Sequence, residues 1–342
     1  MQNSVDIQEQ VVFSIREFVN SFSAKDNVVA DMTTLVNVTD QLPLAHFDFW
    51  ERLIRSEFSN AIEQAPRYQW MFRFKPQPRK ILTWLDVISW DGHEREKALR
   101  TISCAAPNAF FFTMVLRRLN DWVPQVRQAA REQILKIAEQ TSPQVVADAI
   151  AITIVNWSSW ERIEKADRQA LLQLTNRKEV VEILTRKLIE TTSGPMPSLF
   201  SQLGRTSAFD ESLSTIAQNA IQPPLRAKAY RSLFERRLVW SEGHRWVWTD
   251  IRYCEGRKKP AVFERELKVS LPFIEILNQS ANDRSPTVRK VAAEFLIKEL
   301  ENLGSVSKYY ALQFEADESE SVAERGRFAL KKLDDASGNV LS

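Results

Sequence analysis

Asp121-Trp-Val-Pro-Gln-Val-Arg-Gln-Ala-Ala-Arg-Glu-Gln-Ile-Leu-Lys-Ile-Ala138 is the stretch whose reading decides the fold. Pro124 suits the first helical position, where its missing N–H costs nothing. Val126, Ala130, Ile134 and Ala138 recur every fourth residue, and Ala129 and Ile137 widen them into one apolar face. Arg127, Gln128, Arg131 and Glu132 fall on the wet side. Asp121, three residues before the proline, favours a turn and the positive end of the helix.

The chain writes this pattern again. Pro286-Thr-Val288-Arg289-x-x-Ala292-x-x-x-Leu296 and Pro223-Pro-Leu225-Arg226-x-x-Ala229-x-x-x-Leu233 repeat it, with Asp283 three residues before Pro286. A looser copy, Glu320-Ser-Val322-x-x-x-Gly326-x-x-x-Leu330, follows Asp317 but has lost proline and arginine. A fifth, Ala166-x-x-x-Ala170-x-x-x-Leu174, keeps only the small and apolar positions. The small residue in mid-helix lets a neighbouring helix come close, and the branched residues around it bury against adjacent helices. Asp121 to its counterpart Glu161 is about 40 residues and Asp283 to Asp317 is 34, periods that belong to stacked helix pairs.

On these residues the chain resembles the HEAT-repeat family of α-solenoids, over roughly 90–335, with a faint first unit from Asp91 to Ile102. The resemblance implies an all-α solenoid of about six or seven stacked antiparallel helix pairs. It also implies an Asp–Arg ladder between repeats, and so a structural role for Arg127, Arg226 and Arg289. About function it says little.

Composition narrows the function. Eight glycines in 342 residues, beside abundant helix formers, argue against a Gly-rich phosphate-binding fold. A net charge of +2 attracts no polyanion globally, so a nucleic-acid surface would have to be a local patch. Cys104 and Cys254 have no paired spacing, which suits a reducing cytoplasm. The polar N-terminus lacks signal-peptide character, and no apolar run is long enough to span a bilayer, so no membrane partner is expected. His46, His93 and His244 are isolated, and no nucleophile-elbow, Walker or dinucleotide motif occurs. No catalytic residue, metal ligand or cofactor is therefore expected.

The organisation reads as a helical cap over 1–80, HEAT-like repeats over 81–238, an irregular aromatic and basic insertion over 239–270, and further repeats over 271–335. Helices are expected at Val11–Phe22 and Phe47–Ala65, then Lys80–Ile88, Glu94–Ser103, Ala109–Leu119, Pro124–Ala138, Pro143–Val155, Arg162–Leu174 and Lys178–Glu190. Tyr68–Phe74 is aromatic and Lys75–Arg79 breaks any element. Thr191–Pro197 is the candidate break between halves. Short helices at Leu199–Gly204 and Leu213–Ala220 precede Pro223–Leu238. Leu271–Leu277, the helix from Pro286, Tyr309–Phe314 and Val322–Leu333 close the stack, before a frayed tail from Asp334 to Ser342.

The insertion is the candidate site. Over 231–260 eight Arg and Lys face four Asp and Glu, a local excess of four, interleaved with Trp240, Trp246, Trp248 and Tyr253. Alternation there suggests strand or extended loop. Arg245, Trp246, Trp248, Arg252, Tyr253, Arg257, Lys258 and Lys259 are the candidate partner-binding residues. Arg and Trp anchor protein interfaces, and the same mixture tracks and stacks on single-stranded nucleic acid. The same tryptophans could instead pack the insertion onto its neighbours. Trp90, Trp122, Trp157 and Trp160 fall near turns about one repeat apart and would line a rim if exposed. The expectation is a non-catalytic macromolecule-binding or scaffold protein, with a protein partner first and nucleic acid second. The alternative is a DNA-binding enzyme of the alkylbase DNA glycosylase type on HEAT-like repeats, by fold-level analogy alone. A chromophore-lyase-like or toxin-neutralising HEAT protein is a third option.

Overall fold

The computed structural model describes residues 2–23, 31–64 and 83–338; the aromatic stretch Tyr68–Phe74 and the break at Lys75–Arg79 lie outside them. Among the described residues the chain is mostly helical, with sixteen α-helices and one two-stranded sheet. It divides into two compact units, Met1–Ile183 and Leu184–Ser342.

The first unit holds α1 (Gln2–Ser23), α2 (Thr33–Asp40), α3 (Phe47–Gln64), α4 (Gly92–Thr101), α5 (Ala109–Arg117), α6 (Pro124–Gln140), α7 (Pro143–Asn156) and α8 (Lys165–Gln173). Here α9 (Lys178–Glu190) begins, and the division between units falls inside it. Pro124 and Pro143 each open their helix. The expected helix at Lys80–Ile88 is, in its described part, a five-residue 3-10 turn at Trp84–Ile88. Thr83 fixes it: its hydroxyl accepts from the Leu85 N–H while its own N–H donates to Asp86 at 2.7 Å. Helix α2 has no counterpart in the sequence reading, since its β-branched run favours strand. It forms because Leu35 and Thr39 are buried and the Asn108 amide donates to Val36 O and Thr39 Oγ1. Packing joins α4 to α6 and α6 to α8 in one row, and α5 to α7 beside it.

The second unit continues with α10 (Met196–Leu203), α11 (Leu213–Asn219), α12 (Pro223–Glu235), β1 (Arg237–Asp250), β2 (Glu255–Glu266), α13 (Phe273–Ala281), α14 (Pro286–Lys298), α15 (Ser305–Glu315) and α16 (Glu320–Gly338). Again the motif helices pack in a row, α12 on α14 and α14 on α16, with α11, α13 and α15 against them. Leu277, Ala292, Leu296, Ala311, Phe314 and Val322 form part of one buried cluster.

The small residue of each motif is where helices meet. Ala130, Ala229 and Ala292 are fully buried. In α16 the position is Gly326, and a Cβ there would lie 2.1 Å from the Glu315 backbone nitrogen. The end of α15 therefore runs directly over it.

Several boundaries differ from the sequence reading: α1, α13 and α15 run Gln2–Ser23, Phe273–Ala281 and Ser305–Glu315 where Val11–Phe22, Leu271–Leu277 and Tyr309–Phe314 were expected. Helix α12 stops at Glu235, three residues short of Leu238, because Arg236 adopts the left-handed conformation (φ 53°, ψ 28°) and turns the chain out. The segment expected to be an irregular insertion, where alternation suggested strand or extended loop, is an antiparallel hairpin over β1 and β2 with two register shifts. At the C-terminus α16 continues through Gly338, past the Asp334 start of the expected frayed tail.

Candidate functional site

Arginines of the motif helices do one repeated job. Arg226 donates Nη1 to the Ala220 and Ile221 carbonyls at 2.7 and 3.0 Å, while Nε and Nη2 grip Asp283 at 2.8 Å each. Arg289 donates Nη1 to Asp283 O and holds Asp317 at 2.5 and 2.9 Å. Arg95 donates to Ser89 O and Trp90 O and holds Asp121 at 2.9 and 2.7 Å. Arg127 keeps the carbonyl half, donating to Asp121 O at 2.9 Å, but meets only exposed Glu164 at 3.4 Å. Arg131 takes buried Asp167 instead, at 2.6 Å. Asp121, Asp283 and Asp317 also accept the N–H two residues on, from Val123, Ser285 and Ser319, so one carboxylate closes its own turn and receives the preceding motif's arginine.

Arg95 belongs to this set, although the sequence reading singled out only Arg127, Arg226 and Arg289. Its aspartate lies on the next motif, 26 residues away, and no local spacing announces it. Burial raises the Asp121 carboxyl, but hydrogen bonds from Arg95 and the Val123 N–H, with the charge of Arg118, outweigh it and hold the pKa below the ordinary value. For Asp317 the Arg289 hydrogen bond is the leading cause, in the same direction.

The candidate binding residues all lie on the hairpin. Its base is fastened to the helices: Leu238 closes over Gly204, Arg205 sits 5.6 Å above Trp240, and Gln202 donates to Ser241 O. Arg265 binds Asp210 at 2.5 and 3.0 Å and the Gly204 and Thr206 carbonyls, and Asp210 also accepts the Lys268 N–H. Trp240, stacked on Phe263, is thus the tryptophan that packs this segment onto its neighbours.

Beyond the base, the register sorts the remaining residues. Ser241 pairs with Val262 and His244 with Pro260, so β1 carries one extra residue there, a bulge in which Gly243 takes φ +65°. Past it, His244, Trp246 and Trp248 share one side with their partners Pro260, Lys258 and Gly256. Arg245 and Val247 share the other side with Lys259 and Arg257. The indoles of Trp246 and Trp248 meet edge to face at 5.6 Å. A Cβ on Gly256 would come 2.4 Å from Trp246 Nε1, so that ring lies flat over the glycine. Arg252 and Tyr253 occupy the turn between strands. The eight residues therefore form an aromatic side carrying Lys258, a basic side with Arg245, Arg257 and Lys259, and a tip. Trp246 and Trp248 are about half exposed, and Ile251 and Tyr253 at the tip more so.

The four-tryptophan rim does not form. Trp157 and Trp160 are 1% and 5% exposed, whereas Trp90 and Trp122 are 65% and 75% exposed. Near these two lies a charge network the sequence reading missed. Arg118 bonds both Glu51 and Asp121, and Arg55 also bonds Glu51. Burial pushes the Glu51 pKa up, but the charges of Arg118, Arg55 and Arg117 prevail and hold it below its ordinary value. Its members come from α3, α4, α5 and the loop before α6, so sequence spacing could not assemble it.

Among the described residues no group of three or more His, Cys, Asp or Glu is placed to hold a metal ion, and no helix is long and apolar enough to cross a membrane. Compared with known proteins, the chain matches no protein-family model and no curated protein.

Proposed function

We propose that the protein is a non-catalytic binding or scaffold protein of the HEAT-like class, whose hairpin docks onto a protein partner. The rows of motif helices and the arginine–aspartate rungs between them support the HEAT-like assignment within each unit. One observation carries the function: a single hairpin leaves Trp246, Trp248, Ile251, Tyr253, Val262 and Phe263 exposed. Large aromatic side chains of this kind supply most of the energy at protein interfaces when a partner removes them from water. Nucleic acid is the less favoured ligand, because the pleat puts Arg245, Arg257 and Lys259 on the side opposite Trp246 and Trp248. The cations of the hairpin then steer an acidic partner and the indoles hold it.

Affinity capture with the full chain at low and high salt tests this. Trp246→Ala with Trp248→Ala should cut recovery of the partner by roughly tenfold or more. Charge reversal at Arg257, Lys258 and Lys259 should weaken capture most at low salt. Unchanged recovery in both variants removes the assignment, and nucleic acid eluting in place of protein replaces it.

A further inference from the structure

The first unit contains a cleft that the hairpin reading leaves unused. It encloses about 680 Å3 and is lined by five arginines, Arg52, Arg55, Arg95, Arg117 and Arg118, against three carboxylates, Asp48, Glu51 and Asp121, a surplus of two positive charges. Arg95 and Arg118, 8% and 7% exposed at the side chain, are locked in place by Asp121 and Glu51. Arg117, paired with Asp48 at 2.8 Å, and exposed Arg52 stand nearer to solvent. A concave wall with surplus guanidinium concentrates anions, and the guanidinium fork matches phosphate and carboxylate oxygens.

Trp90 and Trp122 also line this cleft. They hold equivalent places in successive motifs, five residues before Arg95 and Arg127, and their carbonyls accept from those arginines. Trp90 lies just before α4 and Trp122 just before α6, two helices that pack on each other. Each ring is backed by a guanidinium, Arg55 at 4.9 Å from Trp90 and Arg162 at 4.5 Å from Trp122. Both tryptophans nonetheless remain mostly exposed to water. A ligand that uses everything here carries both oxyanion charge and a flat ring.

We infer that the cleft binds a nucleotide, its phosphate oxygens on Arg52 and Arg117 and its base stacked on Trp90 or Trp122. A free nucleotide and the end of a single strand share this chemistry. An acidic peptide would meet the cations and leave both indoles uncovered. The assignment is independent of the hairpin, which lies in the other compact unit.

Calorimetric titration of the full chain with ADP, a six-nucleotide deoxythymidine strand, inorganic phosphate and hexaglutamate decides it. The expected result is binding of ADP or the strand that weakens with salt and falls about tenfold in the double variant Trp90→Ala with Trp122→Ala and again in Arg52→Glu. Trp246→Ala should leave it unchanged. Binding of ADP assigns the free nucleotide, and binding of the strand alone assigns a strand end. Hexaglutamate or phosphate binding as tightly as ADP overturns the inference, as does affinity unmoved by both cleft variants, or no binding to any probe.

Discussion

Arg226 holds both carboxylate oxygens of Asp283 at 2.8 Å across 57 positions of sequence, with its side chain 1% exposed. Its remaining nitrogen is taken by two carbonyls of its own motif, so the cation has no route to water.

Removing one partner should therefore be far worse than removing both. Asp283→Ala is expected to cost about 3–5 kcal/mol, because a buried guanidinium is left uncompensated. Arg226→Met combined with Asp283→Ala should cost clearly less than the sum of the single changes. Urea unfolding of the four proteins measures the coupling, and additive losses would contradict the rung.

Acid should loosen these contacts in a defined direction. Asp121, Asp317 and Glu51 titrate below their ordinary values of 3.8, 3.8 and 4.5. Their contribution is complete above those values and is lost as pH falls through the lower folded-state pKa. The urea midpoint of the native chain should drop steeply below about pH 4, and less steeply in Asp121→Asn. Equal slopes for the two proteins would show that the Asp121 rung does not contribute.

Gly326→Ala sets helix propensity against packing. In an exposed helix the change would stabilise by about 1 kcal/mol. Here the new methyl group would meet the Glu315 backbone at 2.1 Å, and backbone cannot swing aside as a side chain can. A net loss of about 2 kcal/mol or more is expected in thermal or urea unfolding. A gain in stability would show that α15 and α16 do not approach this closely.

The hairpin base makes a local prediction. Arg265→Ala leaves Asp210, 2% exposed at the side chain, without its guanidinium and frees the Gly204 and Thr206 carbonyls. Amide exchange across residues 237–266 should then accelerate by roughly tenfold or more, with α14 much less affected. Uniform acceleration throughout the second unit would mean that Arg265 supports the helices rather than the hairpin.

Much of the helical framework is legible from the chain alone, for local reasons. Proline at the first helical position, apolar residues every third or fourth place and a small residue in the middle are all conditions of one helix and its immediate neighbour. They locate α6, α12 and α14 at Pro124, Pro223 and Pro286. They fail for α2, whose Thr and Val residues are carried into helix by tertiary burial and by Asn108. They fail also at the end of α12, where one left-handed arginine turns helix into strand.

The candidate sites divide the same way. Composition marked residues 231–260 as basic and aromatic, but pairing register and a one-residue bulge put Trp246 and Arg245 on opposite sides of the ribbon. Trp122 and Trp157 look alike as tryptophans near turns; one is 75% exposed and the other 1%, because exposure belongs to what packs around a residue. No spacing along the chain draws the cleft arginines together. By itself the sequence determined where the proline-led helices begin, which face each buries and where they could come close, since those follow from spacing of a few residues. Only the tertiary structure decided which charges meet, which rings stay wet and where a cavity opens, because those depend on side chains brought together from 26 to 67 positions apart.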